Sequence, residues 1–293
     1  MKRRAAFLIA GLLALGLPTL AGSIELSSLF NTIKQAVTPT SLQDELDIGA
    51  AAAATLLGAS KPITNAAVQQ YVNKVGLWVA LQSDRPDLPW HFAVVDSDDI
   101  DAFAAPGGYV FITRGLLLHM RSEAELAGVL GHEITHVVLK HHLKELQRAA
   151  RMNLAGTAAE VELQRSGHST ELADKVADAT RNLYSKGLDK DDEFDADRAG
   201  VVLATRAGYE PYGLLAVLQT LEGVDPKSGR VQLLLATHPS PADRIAALSA
   251  AMQAGHMDQY GKQAEGQERF EQVIKTLIPA AAASPAPAPA TKQ

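Results

Sequence analysis

The stretch that decides the fold is GHEITHVVLKHH, residues 131–142, which holds four histidines and one glutamate. His132 and His136 are four residues apart, so on a helix their side chains share one face, with about 5–6 Å between Cβ atoms. One zinc ion can bridge that distance, and Glu133 between them can take a proton from a water on the metal. The H-E-x-x-H spacing therefore predicts a catalytic zinc site on a helix.

The helix that carries this motif has a well-defined start. Ser122 is a favourable N-cap, Glu125 stands three residues later as in a capping box, and an apolar stripe follows. These signals predict that the H-E-x-x-H residues lie inside the helix rather than at its frayed beginning.

A catalytic zinc needs three protein ligands and one open position, and His142 is one candidate for the third ligand. It has the register of the metzincin pattern H-E-x-x-H-x-x-G-x-x-H, but Leu139 replaces the glycine that lets the chain leave the helix. In a continuous helix, His142 points about 120° away from His136, and His141 about 140° away. Both are then expected to face solvent at the helix end, where the helix dipole favours them.

The segment EFDAD, residues 193–197, supplies the second candidate. Glu193 and Asp197 lie four residues apart, on one face of a later predicted helix. Glu193 can complete the ligand set, and Asp197 can accept the N–H of a ligating histidine. Charged residues on a helix are more often a solvated face, but the upstream H-E-x-x-H motif favours the ligand interpretation, which is the gluzincin arrangement.

The first 22 residues have the order of a secretory signal. The basic start KRR, residues 2–4, precedes an apolar run over residues 5–17, and small residues follow near residue 21. Pro18 keeps that run below the ~20 residues that a membrane span needs, which disfavours an anchor. We expect residues 1–22 to be removed, leaving a soluble periplasmic protein with no membrane span.

Composition excludes several other functions. The chain has 293 residues, 47% of them hydrophobic, and no cysteine, so it can bury a large core but has no disulfide or thiolate chemistry. Its formal net charge is −6. Loss of the three basic signal residues leaves 24 of the 27 basic residues against 33 acids, a net charge of −9. Nucleic acid is therefore not expected as a partner.

The remaining pattern predicts one α+β domain over residues 23–278, mostly helical. The β-rich runs WHFAVVD, residues 90–96, and GYVFIT, residues 108–113, flank a loop and predict a small antiparallel sheet. The Ala/Pro-rich stretch over residues 279–293 is expected to be a disordered tail.

Four segments together resemble the CAAX-prenyl-protease-type gluzincin metallopeptidases, in particular their exported BepA-like and Oma-like branch. They are DAFAAPGGYVFITRGLL (101–117), ELAGVLGHEITHV (125–137), EFDADRAGVVLATRAGY (193–209) and THPSPADRI (237–245). The resemblance spans roughly residues 45–250 and implies a zincin-like fold. Asp101 departs from it, because the family usually has Asn there. The helical-repeat domain of BepA-like members is not expected here.

The resemblance also implies roles for particular residues. His132, His136 and Glu193 would hold one zinc ion, Glu133 would be the base, and Asp197 would orient a ligating histidine. His238 and Arg244 would stabilise the oxyanion, although His238 has the alternative of filling the open zinc position and Arg244 that of a structural salt bridge. GYVFIT resembles the edge strand that pairs with an extended substrate, through Gly108, Tyr109, Val110 and Phe111.

The function implied is endoproteolysis of unfolded or misassembled envelope proteins, with the outer-membrane protein assembly machinery as a possible partner. Two alternatives remain open from the sequence. One is a chaperone-like module that binds unfolded clients and carries a structural or blocked zinc. The other is a metzincin that uses His142 in place of Glu193.

Overall fold

The computed structural model describes residues 41–155, 178 and 180–278. The expected signal peptide and the expected Ala/Pro tail lie outside the described residues. The helices are α1 Leu42–Ala59, α2 Ala66–Ala80, α3 Arg114–His119, α4 Glu123–Val138, α5 His141–Ala155, α6 Lys190–Arg206, α7 Gly213–Glu222, α8 Gln232–Thr237, α9 Pro241–Ala254 and α10 Gln267–Ile274. The strands are β1 His91–Val95, β2 Ala102–Ala105 and β3 Tyr109–Thr113. The predicted fold, mostly helical with a small sheet, is confirmed.

The sheet is mixed, and not antiparallel as predicted. Its strand order is β1-β3-β2, with β1 parallel to β3 and β2 antiparallel to β3. The sequence prediction missed β2, whose residues AFAA are mostly alanine and so have low strand propensity. Because β2 forms a hairpin with β3, the chain reverses twice between β1 and β3, and these two strands run in the same direction.

The strand that was expected to form an edge of the sheet is its central strand. Residues 109–111 of the predicted set Gly108, Tyr109, Val110 and Phe111 lie in β3, which is the central strand and pairs on both sides. Gly108 adjoins the strand, and its carbonyl already accepts the N–H of His91 (2.8 Å). These backbone groups are therefore not available to a substrate, and a substrate strand can pair only at an edge of the sheet.

The two edges of the sheet differ in how they are covered. The outer edge of β1 is covered by the segment before α2, since Ile63 N–H donates to Val94 O (3.0 Å) and Asp96 N–H donates to Lys61 O (2.7 Å). Immediately before β2, Asp101 O accepts the Thr113 N–H (3.0 Å). Hydrogen-bonded residues alternate along an antiparallel pair, so the backbone groups of Ala102 and Ala104 point away from β3. The strand β2 also packs against α4, so this edge of the sheet lies beside the helix that carries the H-E-x-x-H residues.

Helix α4 is the centre of the fold. The Ser122 hydroxyl accepts the Glu125 N–H (3.1 Å) as predicted, but the Glu125 carboxylate accepts the N–H of Arg121 (2.8 Å) rather than that of Ser122. Residues 123–137 are all buried, because α2, α6, α7 and the sheet pack around the helix. A helix buried on all sides holds its side chains in fixed positions, which suits a site built on it.

Helices α4 and α6 cross at a pair of glycines, Gly131 and Gly200. A Cβ at Gly131 would lie 2.6 Å from Gly200 O, and a Cβ at Gly200 would lie 2.6 Å from His132 N. Both distances are well below van der Waals contact, so the backbones touch and only glycine fits at either position. This close approach brings the start of α6, two turns before Gly200, over the histidines of α4.

Helix α4 does not continue through the last histidines of the motif, as the sequence prediction assumed. It ends at Val138, and Lys140 adopts the left-handed conformation (φ 61°) before α5 begins at His141. The break is fixed by the buried carboxylate of Glu45, which forms ion pairs with Lys140 (2.9 Å) and Arg85 (2.7 Å). Arg85 also donates to the carbonyl of Val137 (3.3 Å), one of the last in α4.

Candidate metal centre

Three predicted ligands meet where α4 and α6 cross. The Nε2 atoms of His132 and His136 lie 3.1 Å apart. Glu193 Oε2 lies 3.6 Å from His132 Nε2, and Glu193 Oε1 lies 3.5 Å from His136 Nε2. One ligand atom from each residue falls within 4.8 Å of the others, and all three residues are buried. This is the geometry of a site that could hold one ion between two imidazoles and one carboxylate.

The chemistry of these donors fits a cation. Among the described residues, no hydrogen-bond donor reaches the buried Oε2 of Glu193. Burial raises the pKa of Glu193 to about 8, although Arg244 opposes the shift. Burial also lowers the pKa of His132 and His136, so both imidazoles are neutral, as metal ligands must be. A buried carboxylate oxygen without a partner beside two neutral imidazoles is costly unless a cation compensates it.

Behind His132, on the side away from Glu193, lies a buried ion pair. Asp197 Oδ1 is 2.9 Å from His132 Nδ1, and Arg244 donates to both oxygens of Asp197 (2.6 and 2.9 Å). Burial raises the pKa of Asp197, but Arg244 and His132 outweigh it and hold that pKa well below its ordinary value. Asp197 is therefore an anion, and the ligating histidine that it can orient is His132.

Arg244 lies on the Nδ1 side of His132, and not on the Nε2 side where a donor to the oxyanion is expected. Its guanidinium contacts Asp197 and lies 3.4 Å from Nδ1 of His132, the ring nitrogen opposite Nε2. Oxyanion stabilisation requires a donor on the Nε2 side, where a metal and a substrate carbonyl would meet. The contact with Asp197 matches the structural salt bridge that the sequence left open for Arg244.

His238 lies on the same side of the site as the ligand atoms. Its Nε2 is 3.5 Å from Glu193 Oε2, and His132, Glu133 and His238 form a second group whose ligand atoms converge within 4.8 Å. Burial lowers the pKa of His238 well below its ordinary value, so its imidazole is neutral. Both predicted roles of His238, oxyanion donor and occupant of the open position, are compatible with this placement.

Glu133 faces a cleft beside the ligands, between the β2 edge and residues 183–188. The cleft is also lined by Asp101, Phe103, His136, His142, Tyr184, Glu193 and His238. Burial raises the pKa of Glu133 well above its ordinary value, and the Glu193 and Asp101 carboxylates add to the shift. A carboxyl in this environment can hold a proton after taking it up, as a general base must do before passing it on.

The last two histidines of the motif are not solvent-facing, contrary to the prediction. The Lys140 break turns the chain so that His141 is 2% exposed, with its Nδ1 2.9 Å from Nδ1 of His136. His142 enters the cleft and stacks on Tyr184, with ring centroids 5.0 Å apart. Within the described parts of the chain, the groups of convergent ligand atoms include Glu193 and His238 but not His142. The geometry therefore favours Glu193 over His142 as the third ligand.

Sequence reasoning missed three contributors to the site: the Gly131 and Gly200 crossing, the buried position of His141, and Tyr184. The Tyr184 hydroxyl donates to Ala104 O (2.6 Å), one of the outward-facing carbonyls of β2. The glycines were visible in the sequence, one adjacent to His132 and one seven residues after Glu193. Their spacing, however, does not reveal which two helices touch.

Comparison with known proteins gives one family and several relatives. The sequence pattern of peptidase family M48 matches residues 66–252. The beta-barrel assembly-enhancing protease of Escherichia coli (strain K12) is 28% identical over 212 residues, 70% of this chain and 43% of that protein. Metalloprotease YcaL of the same strain is 29% identical over 166 residues, 56% of this chain and 63% of that protein. Mitochondrial metalloendopeptidase OMA1 of Schizosaccharomyces pombe is 27% identical over 179 residues, 60% of this chain and 50% of that protein.

A small mixed sheet beside an H-E-x-x-H helix, with a glutamate from a second helix, defines a gluzincin-type metallopeptidase domain. The chain belongs to peptidase family M48, whose match includes every residue of the candidate centre. The predicted family and the predicted enzyme class are thus confirmed. The chain spans less than half the length of the beta-barrel assembly-enhancing proteases that it matches.

Proposed function

We propose that the protein is a zinc-dependent endopeptidase that cleaves unfolded or misassembled polypeptides in the bacterial periplasm. The observation that carries the metal assignment is the Glu193 carboxylate: its buried Oε2 lacks a donor among the described residues and faces Nε2 of His132, and its Oε1 faces Nε2 of His136. Two imidazoles and one carboxylate are a common ligand set of catalytic zinc, which keeps its fourth position open.

In this proposal zinc, when bound, supplies Lewis-acid activation of water and of the peptide carbonyl. Glu133 removes a proton from the attacking water through its carboxylate, and the water oxygen forms a bond to the carbonyl carbon. The C–N bond then breaks, and Glu133 returns the proton to the leaving nitrogen, so that no proton is gained or lost. Asp197 keeps the Nδ1 proton of His132 in place, which leaves Nε2 free as a donor to the metal.

His238 and Arg244 were both expected to stabilise the oxyanion, and we now give them different roles. His238 has its Nε2 on the ligand side, near Glu193, and we assign it either to the oxyanion or to the open position in a resting form. Arg244 is bonded to Asp197 behind His132. We therefore infer that Arg244 positions His132 through Asp197 and does not touch the reacting carbonyl.

Substrate would bind along β2 rather than along β3. The backbone groups of Ala102 and Ala104 point away from the sheet, toward the cleft that holds Glu133. An extended peptide could add to this edge by main-chain hydrogen bonds, which folded proteins do not offer and unfolded segments do. The Tyr184 hydroxyl now bonds to Ala104 O, and the Asp101 carboxylate accepts the Ala102 N–H (3.0 Å), so such a peptide would displace both contacts.

The periplasmic setting rests on the expected signal at residues 1–22 and on relatives named beta-barrel assembly-enhancing proteases. The same names suggest outer-membrane protein assembly machinery as a partner. No helix in residues 41–155 and 180–278 has the length and apolarity to cross a membrane. The acidic net charge of −6 argues against nucleic acid as a partner.

Glu133→Gln tests the proposal. The variant should bind zinc like the wild type, while cleavage of denatured casein falls by about 10²–10⁴-fold, because only the base is lost. Glu222→Gln makes the same chemical change at an exposed position at the end of α7 and should keep full activity. If zinc-loaded wild type binds casein without producing fragments, with or without a chelator, the protein is a binding module and not a protease.

A further inference from the structure

The two proposed ligand histidines, His132 and His136, each have a second ring nitrogen, Nδ1, that faces away from Glu193. These two Nδ1 atoms have different partners. Nδ1 of His132 faces the carboxylate of Asp197 at 2.9 Å. Nδ1 of His136 instead faces Nδ1 of another histidine, His141, also at 2.9 Å. The mechanism proposed above gives His141 no part, although it is 2% exposed. A buried imidazole in contact with a ligand histidine must have a defined hydrogen-bonding state.

The hydrogen bond between His136 and His141 fixes where the protons lie. A neutral imidazole carries one proton, so a His136 that offers Nε2 to a metal must carry its proton on Nδ1. That proton can be donated to His141 only if Nδ1 of His141 is unprotonated. The proton of His141 must then lie on Nε2, which is 3.4 Å from Asp192 Oδ1.

We propose that His141 is a positioning residue of the metal centre: its Nδ1 accepts the hydrogen bond of His136 Nδ1–H, and Asp192 keeps His141 in the accepting tautomer. The inference rests on the proposed zinc site and extends it to the residues behind His136. It concerns the direction of hydrogen bonds and requires no change of charge. Asp192 immediately precedes the proposed ligand Glu193. The first turn of α6 would therefore place Glu193 at the Nε2 side of His136 and, through His141, Asp192 at its Nδ1 side.

The position of His141 is built by the chain and is not a chance contact. Lys140 adopts φ 61°, a costly conformation for a residue with a side chain, and its ammonium is held by Glu45 at 2.9 Å. Leu143, two residues further along α5, is buried. The adjacent His142 provides a contrast, because its buried Nδ1 has no hydrogen-bond partner within the described residues.

The proposal makes the two ligand histidines unequal. His132 is held by an anion that is itself held by Arg244, whereas His136 is held by a neutral imidazole. Loss of a residue that orients a metal ligand typically weakens metal binding by 10–100-fold. His141 should therefore matter for zinc affinity, although it cannot reach the metal itself while its Nδ1 faces His136.

Zinc dissociation constants, measured by competition with a chromophoric chelator, test the proposal. His141→Leu should weaken zinc binding by about 10–100-fold. His141→Asn should restore most of the affinity, because its side-chain oxygen can accept a hydrogen bond at about the position of Nδ1. Melting temperatures of the metal-free variants separate the loss of zinc affinity from a general loss of stability. A general loss would lower the melting temperatures of both His141→Leu and His141→Asn, and asparagine would not restore zinc affinity.

Asp192 provides a second test in case His141→Leu does not fold. Asp192→Ala should weaken zinc binding severalfold in the wild-type background and have no further effect in His141→Asn, since Asp192 acts only by holding the tautomer of the His141 ring, which asparagine lacks. Asp191→Ala removes the same charge from the same helical turn, at an exposed position, and should leave the affinity unchanged.

Three results would overturn the inference: wild-type affinity in His141→Leu, an equal loss from Asp192→Ala in both backgrounds, or an equal loss in Asp191→Ala. If the wild-type chain itself binds no zinc, it is the proposed metal centre that fails. A wild-type chain that binds zinc together with an unaffected His141→Leu refutes only the role of His141.

Discussion

Substitution of Gly200 by alanine should damage the metal centre without touching any ligand. The new Cβ would lie 2.6 Å from His132 N and 2.9 Å from His132 Cα. Both are backbone atoms that no rotamer change can move. Ordinary contact begins near 3.4 Å, so α6 must move away from α4 by about 0.8 Å. Glu193 lies two turns earlier on the same face of α6 and should move with it.

The expected size of this effect follows from the displacement. Overpacking of this kind costs about 1–3 kcal/mol of unfolding free energy, partly offset by the better helix propensity of alanine. Metal sites require ligand distances within about ±0.2 Å, so a shift of about 0.8 Å should weaken zinc binding at least tenfold. A misplacement of about 1 Å costs on the order of 10²-fold in rate, and kcat/KM should fall accordingly.

The assay compares Gly200→Ala with Gly58→Ala by urea unfolding, chelator competition and casein cleavage. Gly58 is exposed in α1 and has no atom within 4 Å of the position a Cβ would take. Alanine there should leave zinc binding unchanged and raise stability by about 0.4–1 kcal/mol. If Gly200→Ala binds zinc and cleaves casein as well as Gly58→Ala, the glycine crossing does not set the geometry of the site.

Two further predictions concern buried charges. Arg244→Met leaves the buried carboxylate of Asp197 without its cationic partner, and should lower the free energy of unfolding by about 3–5 kcal/mol in urea titrations. Adding Asp197→Asn should restore most of that stability. A double variant as unstable as Arg244→Met would refute the ion pair between Arg244 and Asp197. Burial raises the pKa of Asp101 from 3.8 to about 7. The contribution of the protonated Asp101 carboxyl to the free energy of unfolding is therefore fully present below about pH 4, decreases above it, and is lost once the pH has risen through 7. Metal-free Asp101→Asn should therefore match wild type near pH 4 and exceed its stability by up to about 4 kcal/mol at pH 8; a constant difference would contradict this.

The parts of the site that follow helical periodicity could be predicted from the sequence. His132 and His136 share a face because they are four residues apart, and the same spacing puts Glu193 and Asp197 on one face of α6. Residue spacing does not determine that these two faces meet. Their meeting depends on backbone contact between Gly131 and Gly200, which arises from three-dimensional packing.

Two predictions failed for physical reasons that the sequence does not display. Leu139 favours a continuous helix, yet the chain breaks at Lys140, because Glu45, distant in sequence, binds Lys140 and Arg85. The short strand β2 is mostly alanine, so local propensity predicts a loop there. The edge-strand role of GYVFIT came from the family resemblance, whereas β3 is the central strand. In both cases tertiary contacts override a weak local preference.

The central claim is that Glu193 and the pair His132 and His136 bind one ion. A crystal structure of the zinc-loaded protein, with the metal located by its anomalous signal, tests this most directly. We predict a Glu193 oxygen and both Nε2 atoms at about 2.0–2.2 Å from the zinc. A zinc ion bound by His142 in place of Glu193, or a Glu193 carboxylate turned away from the metal, would contradict the account.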